Sequence, residues 1–70
     1  MTNDQFRTIR QDLNLTQQQL ADVLGSDLRS VQRWEAAPGT PTARKVNPIA
    51  ATAMHWLADG YRPPDWPLAD

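Results

Sequence analysis

The seventy residues predict an all-α domain of four short helices followed by an extended, proline-rich C-terminal tail. Three observations predict it. Thr, Asp and Asn stand where helices would begin, apolar residues recur at three- and four-residue steps, and no stretch alternates apolar with polar over a strand's length.

The first helix is expected from about Asn3 to Leu13, with Thr2 as N-cap and Gln5 completing a capping box. Phe6, Ile9 and Leu13 then fall on one apolar stripe. Thr16 and Gln19 form a second capping box, opening a helix through Leu24 whose inward residues are Leu20, Ala21 and Leu24. Gly25 ends that helix, because glycine adopts the left-handed conformation of a sharp turn without a Cβ clash, and Ala21 is small where two helices approach. Asp27 caps a third helix reaching about Ala36, with Ser30 at its third position and Val31 and Trp34 pointing into the core.

From Ala37 to Asn47 the chain holds Pro38, Gly39 and Pro41 with no sustained period, so it reads as a loop, long for so small a domain. Asn47-Pro48 restarts a helix with a cap acceptor and a proline at the first position. Ile49, Ala50, Ala53, Met54, Trp56 and Leu57 are expected to form its apolar side, with Trp34 and Trp56 in the core, and Gly60 closes it. Pro63, Pro64 and Pro67 keep the tail out of a helix, and Tyr61, Trp66 and Leu68 give it something to bury. Trp66 fits two places, a groove on helix four of its own subunit or a partner's surface. The expected division is residues 1–60 as the domain and 61–70 as the tail.

A chain of this length fits one domain with a modest core. It contains no cysteine, which excludes disulfides and thiolate metal sites and suits a reducing compartment. The opening residues carry no charged-then-apolar leader, and Ile49 to Ala58 is too short to span a bilayer. A cytoplasmic protein, on the nucleoid when DNA is bound, is the expectation.

The formal net charge is −1, which argues mildly against a polyanionic partner. Net charge averages over faces, however. Residues 1–58 hold six basic side chains against five acidic, while the last twelve hold Asp59, Asp65 and Asp70 against Arg62 alone. A cationic patch on an acidic protein follows if Arg29, Arg33, Arg44 and Lys45 share one face.

Leu15 to Glu35 therefore reads as two helices joined by a tight glycine turn, the second carrying outward arginines. In such a unit the first helix lies across a phosphate backbone and props the second in the major groove of duplex DNA. The segment, with Leu-Thr-Gln, Leu-Ala, the turn glycine, Ser-Val and Arg-Trp-Glu in order, resembles the helix-turn-helix of the phage Cro and lambda-repressor class. Helix one extends the likeness upstream through Arg10. The resemblance implies a compact four-helix, lambda-repressor-like domain that binds palindromic operators as a homodimer and regulates transcription. Ser26, where the family usually has an apolar residue, and the lack of a fifth helix are departures. Helix four and the tail from Tyr61 to Leu68 are left as the dimer surface.

Arg29 and Arg33 lie four residues apart, on the face opposite Val31 and Trp34, where the family places base-reading side chains. Arginine suits that role because its planar fork donates two bonds to guanine O6 and N7. A solvated charged face is the plain alternative. Gln32 sits beside them as a base or phosphate contact, and Leu28 suits either a thymine methyl or the core. Gln17 and Gln18 open helix two, where backbone N–H groups and the helix dipole favour phosphate, and Gln17 matches the family's phosphate-contacting position. Arg44 and Lys45 fall in the loop where the family adds backbone contacts. Arg10 and Glu35 resemble the pair that ties helix one to the end of the recognition helix.

His55, with Asp59 one turn on, superficially suggests a catalytic or metal pair. A metal site needs three or four ligands, and nucleophilic catalysis needs a serine supplied with a base and an orienting group. Ser26 and Ser30 serve the turn and the cap, so no enzyme activity, metal or cofactor is expected. The functional expectation is a dimeric repressor of the kind found on phage or mobile elements, including those encoded beside anti-CRISPR genes. The alternative is an interaction module such as an antitoxin covering a partner protein.

Overall fold

The computed structural model describes residues 1–68; Ala69 and Asp70, part of the expected tail, lie outside them. Among the described residues four helices form: α1 (Asn3–Asp12), α2 (Gln17–Leu24), α3 (Leu28–Glu35) and α4 (Pro48–Ala58). Each begins at a side-chain cap. The Thr2 hydroxyl accepts from Gln5 N at 3.0 Å while Thr2 N donates to Gln5 Oε1 at 2.9 Å. Thr16 and Gln19 repeat this reciprocal arrangement at 3.1 and 2.9 Å. Asp27 accepts from Ser30 N, and Asn47 accepts from Ile49 N ahead of Pro48 at the first helical position.

Three of the four helices end in the same way. After α1, Asn14 N donates to Gln11 O and Leu15 N to Arg10 O; after α2, Gly25 N donates to Asp22 O and Ser26 N to Ala21 O. After α4, Gly60 N donates to Leu57 O and Tyr61 N to Trp56 O. This paired closure satisfies last-turn carbonyls and requires a left-handed residue at its first position. Gly25 (φ +66°) supplies it between α2 and α3, while Asn14 (φ +61°), which tolerates that region better than most side chains, supplies it after α1.

Phe6, Leu20, Val31 and Met54, fully buried from four different helices, form the centre of the core. Burying each contributes about 1.5–3 kcal/mol. Leu13, Leu15, Ala21, Val46, Ala50 and Leu57 close around them, and Ile9, Leu24 and Trp34 pack half-buried against the cluster. α3 packs on both α1 and α2, and α4 on α1. Phe6 and Trp34 meet edge to face with centroids 5.7 Å apart, fixing α1 against α3.

Two expectations are corrected on α4. Trp56 is 59% exposed and Ile49 82% exposed, so neither belongs to the core. At 100° per residue, Ala50, Met54 and Leu57 point within about 60° of one another, and that arc is the fully buried side of the helix, with Ala51 half-buried at its edge. Ile49 and Trp56 lie roughly 100° or more from its centre.

The loop between α3 and α4 is not free of the core. Val46 is buried, and the Asn3 amide donates to Arg44 O at 3.0 Å and to Arg33 O at 3.4 Å, tying the start of α1 to the end of α3 and to the loop. In the tail, Pro64 occupies the second position of a turn closed by Trp66 N donating to Pro63 O at 3.1 Å. The turn brings Trp66 back onto its own core, under the Arg62 guanidinium at 4.6 Å from the ring centroid.

Candidate nucleic-acid interface

The outward face of α3 follows from its inward one. Val31 and Glu35, four apart, are buried, and Trp34 packs half-buried beside them, which turns Arg29, Gln32 and Arg33 away from the domain. Asp27 sets where this face begins. Its carboxyl sits below the usual range of 3.8, first because of its side-chain hydrogen bond with Ser30 and then through backbone N–H groups, with a smaller contribution from the charge of Arg33. The cap thus favours the charged form of the Asp27 side chain.

Arg29, Gln32, Arg33 and Thr42 line one hollow of about 200 Å³. Gln32 also lines a second, of about 270 Å³, with Arg7, Arg10, Gln17, Glu35 and Ala36. The two hollows share that side chain, so the polar surface runs without a break from α1 across the start of α2 and along α3 to the loop. Arg44 N donates to Arg33 O at 3.0 Å, holding the loop beside the end of α3. The Arg44 guanidinium curls back onto Pro41 O and Ala43 O at 3.1 and 2.8 Å, while Lys45 is exposed.

Behind this surface lies a buried ion pair. Arg10 Nε donates to Glu35 Oε2 at 2.6 Å and a terminal nitrogen donates to Glu35 Oε1 at 3.0 Å, a two-pronged contact, and Arg10 also donates to Leu15 O at 2.8 Å. The side chains are 15% and 4% exposed. Gln17 Nε2 adds a third donor to Glu35 at 3.2 Å. α1, the start of α2 and the end of α3 therefore converge on one carboxylate, which fixes the angle of α3. The pair also cancels the Glu35 charge that would otherwise sit within the cationic surface.

The sequence-predicted residues divide accordingly. Arg29, Gln32 and Arg33 come together; Arg44 and Lys45 stand on the adjoining loop; Gln17 lies at the edge, with its amide turned to Glu35. Gln18 is exposed one position on and donates to Asp22 at 3.1 Å along its own helix. Leu28 is half-buried at the start of α3. Arg7, Thr42 and Asn3 were missed. Arg7 was legible in its three-residue spacing from Arg10, which puts the two on one side of α1; Thr42 joins the surface through the loop path, which carries no periodic signal, and Asn3 at the start of α1 supports it by donating to Arg33 O and Arg44 O. His55 is exposed in a separate hollow with Met1, Asp4, Gln5, Thr8 and Ile9. Among the described residues no group of three His, Cys, Asp or Glu is placed to hold a metal ion, and no helix is long and apolar enough to cross a membrane.

An outward helix face carrying exposed Arg29 and Gln32 and the half-buried Arg33, braced by a second helix at a tight turn, has the donor chemistry and shape for a DNA groove. Neither curated proteins nor solved structures give a significant match to the chain. The family model described as helix-turn-helix matches residues 6–52, well over half of the chain, running from Phe6 in α1 through α2, α3 and the loop into the first turn of α4. The chain belongs to the helix-turn-helix family of the Cro and lambda-repressor type, a family of DNA-binding regulators.

Proposed function

We propose that this protein binds duplex DNA sequence-specifically in the cytoplasm and acts as a dimeric autorepressor of a phage or mobile-element operon. α3 enters the major groove, where Arg29 and Arg33 read guanine edges and Gln32 bonds a base or a phosphate. Gln17 and Gln18 at the start of α2, with Arg44 and Lys45 on the loop, lie against the flanking phosphates. Two copies on a palindromic operator set their α3 helices about 34 Å apart, one turn of B-DNA. The observation that carries this reading is the gathering of Arg29, Gln32 and Arg33 around one hollow on the outer face of α3. The net charge of −1 does not oppose it, because Asp59 and Asp65 follow α4 rather than flank α3.

The test is titration of a labelled fragment of the DNA upstream of the gene with wild type and with the double variant Arg29→Ala, Arg33→Ala. The repressor reading requires a salt-dependent complex that the double variant loses. A second reading, a module that covers a partner protein in the manner of an antitoxin, draws on the exposed Trp56 and Tyr61. Under it, wild type forms no specific complex for the variant to lose.

A further inference from the structure

α4 is apolar on both sides. Ala50, Met54 and Leu57 fill the core, yet Ile49, 82% exposed, and Trp56, 59% exposed, stand on the outside. They are seven residues apart and so within about 20° of each other around the helix. Thr52 and Ala53 lie between them, completing the i, i+3, i+4, i+7 pattern of a helix seam that meets a second helix. The Thr52 hydroxyl donates to Pro48 O at 3.0 Å, which satisfies it within its own helix. No Asp, Glu, Lys or Arg occurs anywhere in Pro48–Ala58. Ordinary surface helices are charged on their outer face.

We infer that this outer stripe, Ile49, Thr52, Ala53 and Trp56 with Tyr61 beyond its end, is where two copies of the chain pair, their α4 helices antiparallel and crossing at Thr52 and Ala53. The inference rests on the dimeric reading above and supplies its interface. Three features select a second copy as the occupant. An isologous interface sets the residues at its centre against themselves, and here the centre is small and uncharged, so the helices approach closely without like-charge repulsion. Knob and hole also lie on the same stripe, on either side of that centre: Trp56 projects at one end, and at the other Ile49, Ala50 and Ala53 with Leu24, Ser26 and Trp34 line a hollow of about 220 Å³. Antiparallel crossing seats each Trp56 in the other copy's hollow. Ser26, from the turn between α2 and α3, helps to line it.

The area is of the right size. Aromatic side chains of about 150–250 Å² each, at these exposures and together with Ile49, leave roughly 400 Å² of apolar surface. A standard interface covers about 800 Å² per partner, of which a little over half is apolar. Tyr61, 56% exposed, lines a hollow with Trp56 and Asp59 and so continues the stripe past the end of the helix. Trp34 reaches the hollow from the side of α3 opposite Arg29 and Arg33, so pairing leaves the DNA-facing side chains uncovered.

The chain's lack of cysteine permits a direct test. Facing Cα atoms of helices packed 8–10 Å apart are separated by roughly 3.5–5.5 Å, overlapping the range of about 4.4–6.8 Å across a disulfide. Ala53→Cys is expected to form a covalent dimer under mild oxidation, at least tenfold faster than Ala37→Cys on the exposed loop. In sedimentation, wild type is expected at dimer mass and the double variant Ile49→Lys, Trp56→Lys at monomer mass. Both replaced side chains are largely exposed, and an unchanged circular dichroism spectrum verifies the fold. The lysine variant is still expected to bind a half-site through Arg29 and Arg33, whereas Arg29→Ala, Arg33→Ala loses DNA and stays dimeric, so pairing and DNA recognition fail separately. A wild type that sediments as a monomer at every concentration, which would leave the stripe to a different protein, overturns the proposal. So does an Ala53→Cys variant that cross-links no faster than Ala37→Cys.

Discussion

Replacing Glu35 tests whether the angle of α3 depends on one buried carboxylate. In Glu35→Leu the Arg10 guanidinium, 15% exposed, keeps only its bond to Leu15 O, and the Gln17 amide loses its acceptor. Removing one partner of a buried pair costs about 3–5 kcal/mol, because the other charge stays desolvated without compensation. The lower end applies here, since Arg10 retains some solvent and one carbonyl. About 3 kcal/mol is a large share of the roughly 4–10 kcal/mol expected for a domain of this size. It lowers the melting temperature by about 12–24 °C. Arg10→Met is expected to cost a similar amount, leaving Glu35 with Gln17 as its remaining side-chain donor. The double variant removes both charges and is expected to recover most of the loss, ending within about 1 kcal/mol of wild type. Urea denaturation of the four proteins gives the coupling energy directly. Single variants that each cost under about 1 kcal/mol and simply add would put the pair in the class of exposed ion pairs and refute the reasoning.

Other predictions concern the turn, the cap and the reading face. Gly25→Ala is expected to cost about 1–2 kcal/mol from backbone conformation alone, since a Cβ there meets nothing within 4 Å; Gly25→Asn should cost less, as Asn14 holds the same conformation. Equal losses in thermal melts would contradict that. Because the Asp27 carboxyl is held below its usual value of 3.8 in the fold, its contribution is present above the unfolded value and is lost as pH falls through the lowered folded one. Melts in this acid range should therefore show Asp27→Asn, which keeps a cap acceptor, less sensitive to acid than wild type, and an unchanged acid dependence would remove Asp27 from the account. In DNA titrations, Arg29→Ala or Arg33→Ala should weaken specific binding by about 1–3 kcal/mol with relaxed preference at one base pair. Lys45→Ala should weaken all sequences alike and flatten the salt dependence by about one unit of slope.

The sequence is most informative where local chemistry decides the structure. The reciprocal caps at Thr2 and Thr16, the left-handed Gly25 and the Asn47-Pro48 start involve partners within a few residues, so the helix boundaries lie within one residue of those expected. Trp56 and Ile49 were misplaced because α4 is apolar around most of its circumference, and periodicity cannot say which of two apolar stripes the rest of the domain covers. Val46 and Asn3 escaped notice for another reason: one is buried from an irregular loop and the other bonds carbonyls thirty and forty-one residues away. The grouping of Arg29, Gln32 and Arg33 was legible from helical spacing, whereas their company with Thr42 depends on where the loop returns. Gln17 shows the limit of position alone, since its place at the start of α2 was clear but not the turn of its amide toward Glu35.

The central claim is that DNA meets the outer face of α3. Mapping backbone amide chemical shifts during titration with an operator duplex tests it residue by residue. The account predicts the largest changes from Leu28 to Arg33, at Gln17 and Gln18, and from Thr42 to Lys45. Shifts concentrated along Ile49, Trp56 and Tyr61, with α3 left unperturbed, would contradict it.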